Sequence, residues 1–319
     1  MSRLRRLVDS LWRGSRPLTA SGVLMLVAFA VSAVAMGLDH REILGAPRWL
    51  KPAKFGISTA IYAFTVAWIF AWLSEHRRLK AVVGWIVSVV IVLEVVLIDV
   101  QAARGVTSHF NVGTPFDAAV FGIMGTAILI AWLASIALTV ALFRHRFADE
   151  AFAWALRIGM LITVLGQATG GIMTTPTQAQ LAAARTTAMT VSGAHTVGAP
   201  DGGAGLPITG WSREHGDLRV GHFVGIHAVQ LLPALAWLIG PLGSTVRRRR
   251  AVLLLATAYF ALFGILLAQA LMGQPLLAPQ GPIAIAFGAW AILSIAGVSY
   301  AAGSRRSAAA ASLPFVVSR

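Results

Sequence analysis

The polar residues at the start of segment 216–241 are the part of this sequence best suited to chemistry. Arg219, His222, His227 and Gln230 lie at the entrance to a long run of apolar residues. A polar group without a partner is costly in the hydrocarbon core of a bilayer, so such residues usually face a cavity lined by protein. We therefore predict that these four side chains contact a ligand.

Helical geometry predicts that the four side chains converge. At about 100° per residue, Arg219 and Gln230 are separated by about 20° around a helix axis, while His222 and His227 flank that line about 140° apart. All four then share one broad face. Gly221 and Gly225 form a small-xxx-small pair, which is typical of a close approach between membrane helices.

A second set of polar residues precedes this segment in the chain. Segment 81–102 carries Glu94, Asp99 and Gln101, and the loop after it carries Arg104, His109 and Asn111. The loop upstream of these segments, between residues 38 and 55, contributes Lys51 and Lys54. These residues and the four above fall on the same side of the predicted membrane.

The residue types suggest how the roles are divided. Imidazole and carboxyl groups exchange protons, and neutral imidazole also binds haem iron, copper or zinc. Cations and amides bind carboxylate or phosphate groups. We expect acid–base or orienting roles for His109, His222, His227, Asp99 and Glu94, and haem or metal ligation is a further hypothesis for His109, His222 and His227. We expect an anionic or amphiphilic ligand to be bound by Arg104, Arg219, Lys51, Lys54, Gln101, Asn111 and Gln230.

A purely structural interpretation of the same residues stays open. The histidines would then bond to loop carbonyl groups or neighbouring helices, and Glu94 and Asp99 would form ion pairs that hold helices together. Arg157 is expected to lie near the opposite membrane face with its charge extended toward water.

The elements that must position these residues are membrane helices. Hydrophobic residues make up 57% of the chain and charged residues 12%, and the mean hydropathy is +0.75. We predict an all-α membrane protein with eight transmembrane helices, each about 20 residues long. The predicted spans are 18–37, 55–74, 81–102, 117–143, 152–173, 221–241, 251–272 and 282–302. A basic segment 1–17 precedes this single domain 18–302, a loop 174–220 interrupts it, and a tail 303–319 follows.

The distribution of basic residues predicts the orientation. Lysine and arginine are retained on the cytoplasmic side of a membrane. One set of connections holds 17 of the 26 basic residues and the other holds eight, with Arg157 inside a span. Both termini are therefore predicted to be cytoplasmic, in a bacterial inner membrane. The net charge of +14 is accounted for by these clusters beside apolar spans, so we expect no nucleic-acid partner.

A weak internal repeat supports a further hypothesis about the fold. Gln101-Ala102-Ala103-Arg104-Gly105 parallels Gln269-Ala270-Leu271-Met272-Gly273, and the residues after Pro115 and Pro282 also match. The eight spans could then form two four-helix halves related by duplication.

Three classes of function fit these features. The first is a membrane-embedded enzyme or redox protein with the polar pocket as its site. The second is a proton- or cation-coupled transporter, although the cytoplasmic halves of the spans carry few polar residues. The third is an interaction or sensory protein that uses loop 174–220. The chain contains no cysteine, which excludes disulfides and thiolate ligands.

Three stretches carry a resemblance to other proteins. They are Trp49-Leu50-Lys51-Pro52-Ala53-Lys54-Phe55, then Gln101-Ala102-Ala103-Arg104-Gly105 with Ser108-His109-Phe110-Asn111, and Gly216-Asp217-Leu218-Arg219 with His222-Phe223 and His227. In these the chain resembles an uncharacterised family of bacterial polytopic inner-membrane proteins. The resemblance covers most of the spans and implies no known activity.

Overall fold

The protein is a bundle of helices joined by short connections and one long loop. The structure is a computed structural model and describes residues 3–240 and 244–310. Its helices are α1 (Arg3–Gly14), α2 (Arg16–Leu38), α3 (Leu50–Trp72), α4 (Arg77–Arg104), α5 (Pro115–Arg144), α6 (Glu150–Thr174), α7 (Gln178–Ala183), α8 (Leu218–Ile226), α9 (Ala228–Leu238), α10 (Thr245–Leu271) and α11 (Gly281–Ala310). Two short hairpins are formed by β1 (Glu42–Ile43) with β2 (Ala46–Pro47), and by β3 (Thr196–Val197) with β4 (Gly216–Asp217).

Six of the described helices are long and apolar enough to cross a membrane, namely α2, α3, α4, α5, α6 and α10. The pair α8–α9 is a seventh candidate if it counts as one bent span. The apolar part of α11, Gly281–Gly297, is shorter than the other spans. The predicted all-helical fold is therefore confirmed, with six or seven described helices that could cross a membrane, whereas the predicted number of eight spans is not confirmed. Because α11 extends to Ala310, the predicted tail begins inside a helix, and residues 311–319 lie outside the described part.

The N-terminal basic segment forms the amphipathic helix α1. Leu4 is 70% exposed and Trp12 is 43% exposed, while Leu11 packs on the buried core. Gly14 lies so close to α3 that an added Cβ atom would be 1.9 Å from the carbonyl oxygen of Ala67. Ser15 then caps α2 by accepting a hydrogen bond from the backbone N–H of Leu18.

The connections at one end of the bundle are longer than those at the other. We call this end the loop face, and it carries the connections 39–49, 105–114, 175–217 and 272–280. The largest buried apolar cluster lies toward the opposite end, which we call the far face. It is built from residues 60–73 of α3, 83–95 of α4, 134–142 of α5 and 156–164 of α6. Apolar packing therefore fills the half of the bundle away from the loops.

The predicted straight sixth span is wrong, because the chain bends by 47° between α8 and α9 at His227. Gly225 packs against Gly166 of α6 so closely that a Cβ atom on Gly225 would be 2.5 Å from the Gly166 Cα atom. Thr163 fills the break: its hydroxyl donates to the Ile226 carbonyl and accepts from the Val229 N–H at 3.2 Å. A side chain thus replaces hydrogen bonds that a continuous helix would make.

The long loop 175–217 is folded onto the bundle. Thr177 and Gln180 form a capping box at the start of α7. Further along, β3 pairs with β4 in the register Thr196↔Asp217 and Val197↔Gly216. Gly216 lies against α10, where an added Cβ atom would be 2.1 Å from the Ala270 carbonyl oxygen. The hairpin therefore fixes where α8 begins.

Candidate functional site

The connection after α4 turns back into the bundle and brings His109 to a buried carboxylate. His109 Nε2 lies 3.3 Å from Glu94 Oε1, and the Glu94 side chain is only 2% exposed. The other ring nitrogen, Nδ1, is 3.1 Å from the Ser108 hydroxyl. Glu94 Oε2 is buried without a hydrogen-bond partner among the described residues. The sequence named both residues as site candidates, and the structure brings them together.

Phe110 holds this turn in place. Its φ of +64° lies in the left-handed region, which is unfavourable for an aromatic residue. The ring packs with Met173, Leu218 and Ala270, and the carbonyl group accepts a hydrogen bond from the Ser192 N–H at 2.8 Å. Backbone strain of this kind persists only where the surroundings impose it, and it is often found at functional sites.

The pair formed by His195 and Asp201 was not among the site residues predicted from the sequence. His195 Nδ1 lies 2.6 Å from Asp201 Oδ2, and the carboxylate also accepts the backbone N–H groups of His195 and Thr196. The imidazole packs edge-on against Phe110, with 4.7 Å between ring centres. A signal was present, since these are the only histidine and the only carboxylate between residues 184 and 212.

Two of the predicted anion-binding arginines are neutralised by neighbouring carboxylates. Arg219 forms two hydrogen bonds with Asp217, at 2.9 and 2.6 Å, and a third with the Gly210 carbonyl oxygen. Arg104 lies 2.5 Å from Asp117 Oδ1. Because each arginine is paired, neither is a free cation for a ligand.

Gln101 and Arg48 form hydrogen bonds at the C-terminal end of α4. The buried Gln101 amide donates to Asp117 at 2.8 Å and accepts a hydrogen bond from Arg104, so its role is structural. Arg48, which the sequence analysis did not single out, donates to the carbonyl groups of Ala102 and Ala103 at the end of α4. A cation at a helix C-terminus is favoured by the helix dipole.

Lys51 and Lys54 are the half-buried cations of the loop face that lack a carboxylate partner within the described residues, whereas the unpaired Arg185 and Arg213 are exposed. Neither forms an ion pair with any residue that the structure describes. Lys54 donates only to the Thr209 carbonyl oxygen at 3.1 Å, and Lys51 lies above the Phe55 ring. Longer-range electrostatic interactions connect Lys51 with Lys54, Arg219, Glu94 and Asp201, and also with His109 and His195. Lys51 is therefore the centre of the polar cluster.

His222 and His227 lie where α8 meets α6. His222 Nδ1 is 2.8 Å from the Gly166 carbonyl oxygen and 3.1 Å from the Thr169 hydroxyl. His222 is within electrostatic range of both His109 and His227. His227 stands at the bend, with its ring 4.3 Å from that of Phe223. The bonds of His222 hold two helices together.

The bend also explains the position of Gln230. When its amide group is oriented to satisfy its neighbours, the nitrogen donates to the carbonyl groups of His227 and Ile226 at 3.1 and 3.2 Å. These carbonyl groups lie at the break between α8 and α9. Gln230 therefore stabilises the bend, which interrupts the continuous helix on which we predicted one face shared by Arg219, His222, His227 and Gln230.

Two further predicted residues lie apart from Lys51. Asn111 accepts a hydrogen bond from the Gly113 N–H at 3.1 Å, and its backbone pairs with Val191. Asp99 is half-buried, and its Oδ1 atom has no hydrogen-bond partner within the described ranges.

The described residues contain no group of three His, Cys, Asp or Glu side chains placed to hold a metal ion. His222 interacts with His109 and with His227 only through longer-range electrostatics. Metal or haem ligation by these three residues stays a prediction.

Burial and neighbouring charges favour the neutral forms of His109 and His195 by lowering the pKa of each ring. Burial, followed by the Lys51 charge, lowers the pKa of His109 from its ordinary value of 6.5, against the opposing pull of Glu94. Burial lowers the pKa of His195 to about 4, although Asp201 acts in the opposite direction. Burial alone would raise the pKa of Asp201, but the bonds from His195 and Thr196 hold that pKa far below its usual range.

Comparisons of the chain with family models, with curated proteins and with solved structures found no match. The resemblance to bacterial inner-membrane proteins therefore stays a prediction. The function of the chain is therefore inferred from its own residues.

Proposed function

We propose that this chain is a multi-pass protein of a bacterial inner membrane, with both termini in the cytoplasm and the loop face outside. The distribution of charge supports this orientation, since 17 of the 26 basic residues fall on the side of the termini. A reporter that is active only in the cytoplasm stays inactive when fused after Pro200. Activity of that fusion contradicts the orientation.

At the loop face the protein binds the negatively charged headgroup of an amphiphile. The observation that carries this proposal is the position of Lys51 and Lys54, two neighbouring half-buried cations that form no ion pair with any described residue. A half-buried cation without an anion is unfavourable, and a bound anion would remove that penalty.

An amphiphile also needs an apolar surface beside the charge. Phe223 lies one turn after Arg219 on α8 and is 49% exposed. Its ring packs against Trp211, with 5.7 Å between centres, and against His227. This aromatic surface supports an aliphatic chain as the rest of the ligand.

The depth of the polar groups favours a binding protein or an enzyme over a transporter. Polar contacts inside the bundle reach as deep as Tyr62, which bonds to Ser135 at 2.9 Å and to Gln167 at 3.4 Å. Beyond this level the buried polar side chains of the described residues are hydroxyl groups such as those of Ser88 and Thr139, and no ionisable side chain is fully buried there. An ion path across the membrane is usually marked by ionisable side chains at that depth as well.

Calorimetry on the full chain in lipid nanodiscs tests the proposal. We expect octane-1-sulfonate to bind and octyltrimethylammonium, its cationic counterpart, not to bind. The double substitution Lys51→Gln and Lys54→Gln should weaken sulfonate binding by about tenfold or more, which corresponds to about 1.4 kcal/mol.

Arg185→Gln is the matched control, because Arg185 is an exposed cation of the same face. It should bind like the unsubstituted protein, and empty nanodiscs correct for partition into lipid. Equal binding of both amphiphiles, or full binding by the double variant, overturns the proposal.

A further inference from the structure

The ligand-binding face contains a histidine whose two ring nitrogens have different environments. A carboxylate only accepts hydrogen bonds, so the 2.6 Å contact with Asp201 fixes the proton of neutral His195 on Nδ1. Nε2 then carries the lone pair, and it makes no hydrogen bond to any residue that the structure describes. His195 therefore has one nitrogen held in place and one able to accept a proton.

The other histidines of the cluster lack this combination. Both ring nitrogens of His109 are engaged, one by Glu94 and one by Ser108. His222 bonds through Nδ1 to a carbonyl group and a hydroxyl group, and no carboxylate contacts it in the described structure. A carboxylate partner stabilises the imidazolium that forms on protonation more strongly than a neutral acceptor does.

His195 is also rigidly placed. Asp201 is fixed by backbone N–H groups, and the His195 carbonyl group accepts the Leu218 N–H at 3.0 Å. This last bond joins His195 to the start of α8, next to Arg219. The charged groups around the ring are thus Asp201 from its own loop, Arg219 from α8 and Lys51 from α3.

These three charges act on the ring in opposite directions. Asp201 favours the protonated ring, whereas Arg219 and Lys51 oppose it. An anion bound at Lys51 would cancel part of the opposing charge and leave the attraction of Asp201 in place. Protonation of the ring would then become easier with the ligand present than without it.

We propose that the loop face takes up one proton when it binds its anionic ligand, and that His195 Nε2 receives that proton. The new N–H bond forms with a proton from water or from an acidic hydroxyl group of the headgroup, and Asp201 holds the resulting imidazolium. The ligand class is an amphiphile with an acidic headgroup. This inference rests on the proposed function, because it requires an anion at Lys51.

The dependence of affinity on pH tests the proposal with octane-1-sulfonate in nanodiscs. The charge of a sulfonate is constant over this range, so a pH dependence belongs to the protein. Uptake of one proton makes binding tighter by up to about tenfold for each pH unit on going from about pH 7 toward pH 5. In His195→Asn we expect binding at about pH 7 to persist and this dependence to disappear.

Two further variants test whether the pH dependence of binding arises from His195 and not from another group of the same face. Asp201→Asn should shift the dependence to lower pH rather than abolish it, since an amide oxygen stabilises an imidazolium less than a carboxylate does. His40→Asn is the control, because His40 is an exposed histidine of the same face. Its pH dependence should match that of the unsubstituted protein.

The failures of the two proposals are distinguishable. Absence of sulfonate binding by the unsubstituted protein at every pH overturns the proposed function. Binding without a pH dependence, or an unchanged dependence in a His195→Asn protein that still melts cooperatively, overturns the role of His195 alone. If His195→Asn does not fold, Asp201→Asn decides instead. A pH dependence of binding that is not shifted in Asp201→Asn then overturns the role of His195.

Discussion

The two ends of the bundle use their basic residues differently. At the far face, Arg157 donates to the carbonyl groups of Leu142 and His145 at the end of α5, and Lys80 donates to the Phe70 carbonyl group at the end of α3. At the loop face only Arg48 has this role, while Lys51 and Lys54 have neither a helix end nor a carboxylate as partner within the described residues. Half-buried basic residues thus stabilise helix ends at the far face, whereas the half-buried Lys51 and Lys54 at the loop face do not.

Removing a cation that caps a helix should have the largest effect on stability. Arg157→Met eliminates two hydrogen bonds from a charged donor, at 3.0 and 2.8 Å, and leaves the α5 carbonyl groups without these donors. We expect a loss of about 2–3 kcal/mol in unfolding free energy, seen as a lower melting temperature in nanodiscs. Arg146→Met, which changes an exposed arginine nearby, should leave the melting temperature unchanged. Equal losses in both variants contradict the capping role.

The opposite sign is expected for a cation at the binding face. Lys51→Met removes a half-buried charge that no described carboxylate neutralises, and the methionine fills a similar volume. Stability should be unchanged or higher by about 0.5–1 kcal/mol, while sulfonate binding is weakened. Melting temperature and calorimetry measured on the same sample check both parts. A loss of stability as large as that of Arg157→Met means that the two faces use their cations in the same way.

A third effect is a pH dependence of stability in the absence of ligand. The folded pKa of His195 is about 4 and its ordinary value is 6.5, so between these values the unfolded chain binds more protons. Stability therefore rises with pH across this window and is lost as pH falls from 6.5 to 4. The His195→Asn variant should show a shallower decrease than the unsubstituted protein when melting temperature is followed over the window. If melting temperature falls equally steeply with pH in both proteins, the group that titrates in this window is not His195.

The sequence predicted the site in part. Charge and hydropathy located Lys51, Glu94, His109 and Arg219 at one end of a helical membrane protein, and the structure places all four around one cluster. It did not predict the pair His195 and Asp201, because the loop that carries them has no helical or strand periodicity from which to infer a contact. Nor did it predict that Asp217 and Asp117 would neutralise Arg219 and Arg104.

The bend at His227 shows why periodicity failed for the segment that had seemed most informative. A hydrophobic pattern predicts a continuous helix, although Pro233 inside α9 is a local signal of a bend, because it removes a backbone donor and crowds the carbonyl group of Val229. The break depends on contacts with another helix, namely the Gly166–Gly225 approach and the hydroxyl group of Thr163. These contacts join residues far apart in the chain.

The sequence by itself determined that the protein is helical, that it is suited to a membrane and that its polar residues gather at one end. Composition and charge suffice for this, because the hydrocarbon core of a bilayer excludes unpaired polar groups and open backbone. Only the tertiary structure decided which cations are neutralised, which histidine has a carboxylate on one nitrogen and a free lone pair on the other, and where a span bends. Each of these depends on a distance of a few ångströms between distant residues, and such distances are set by packing.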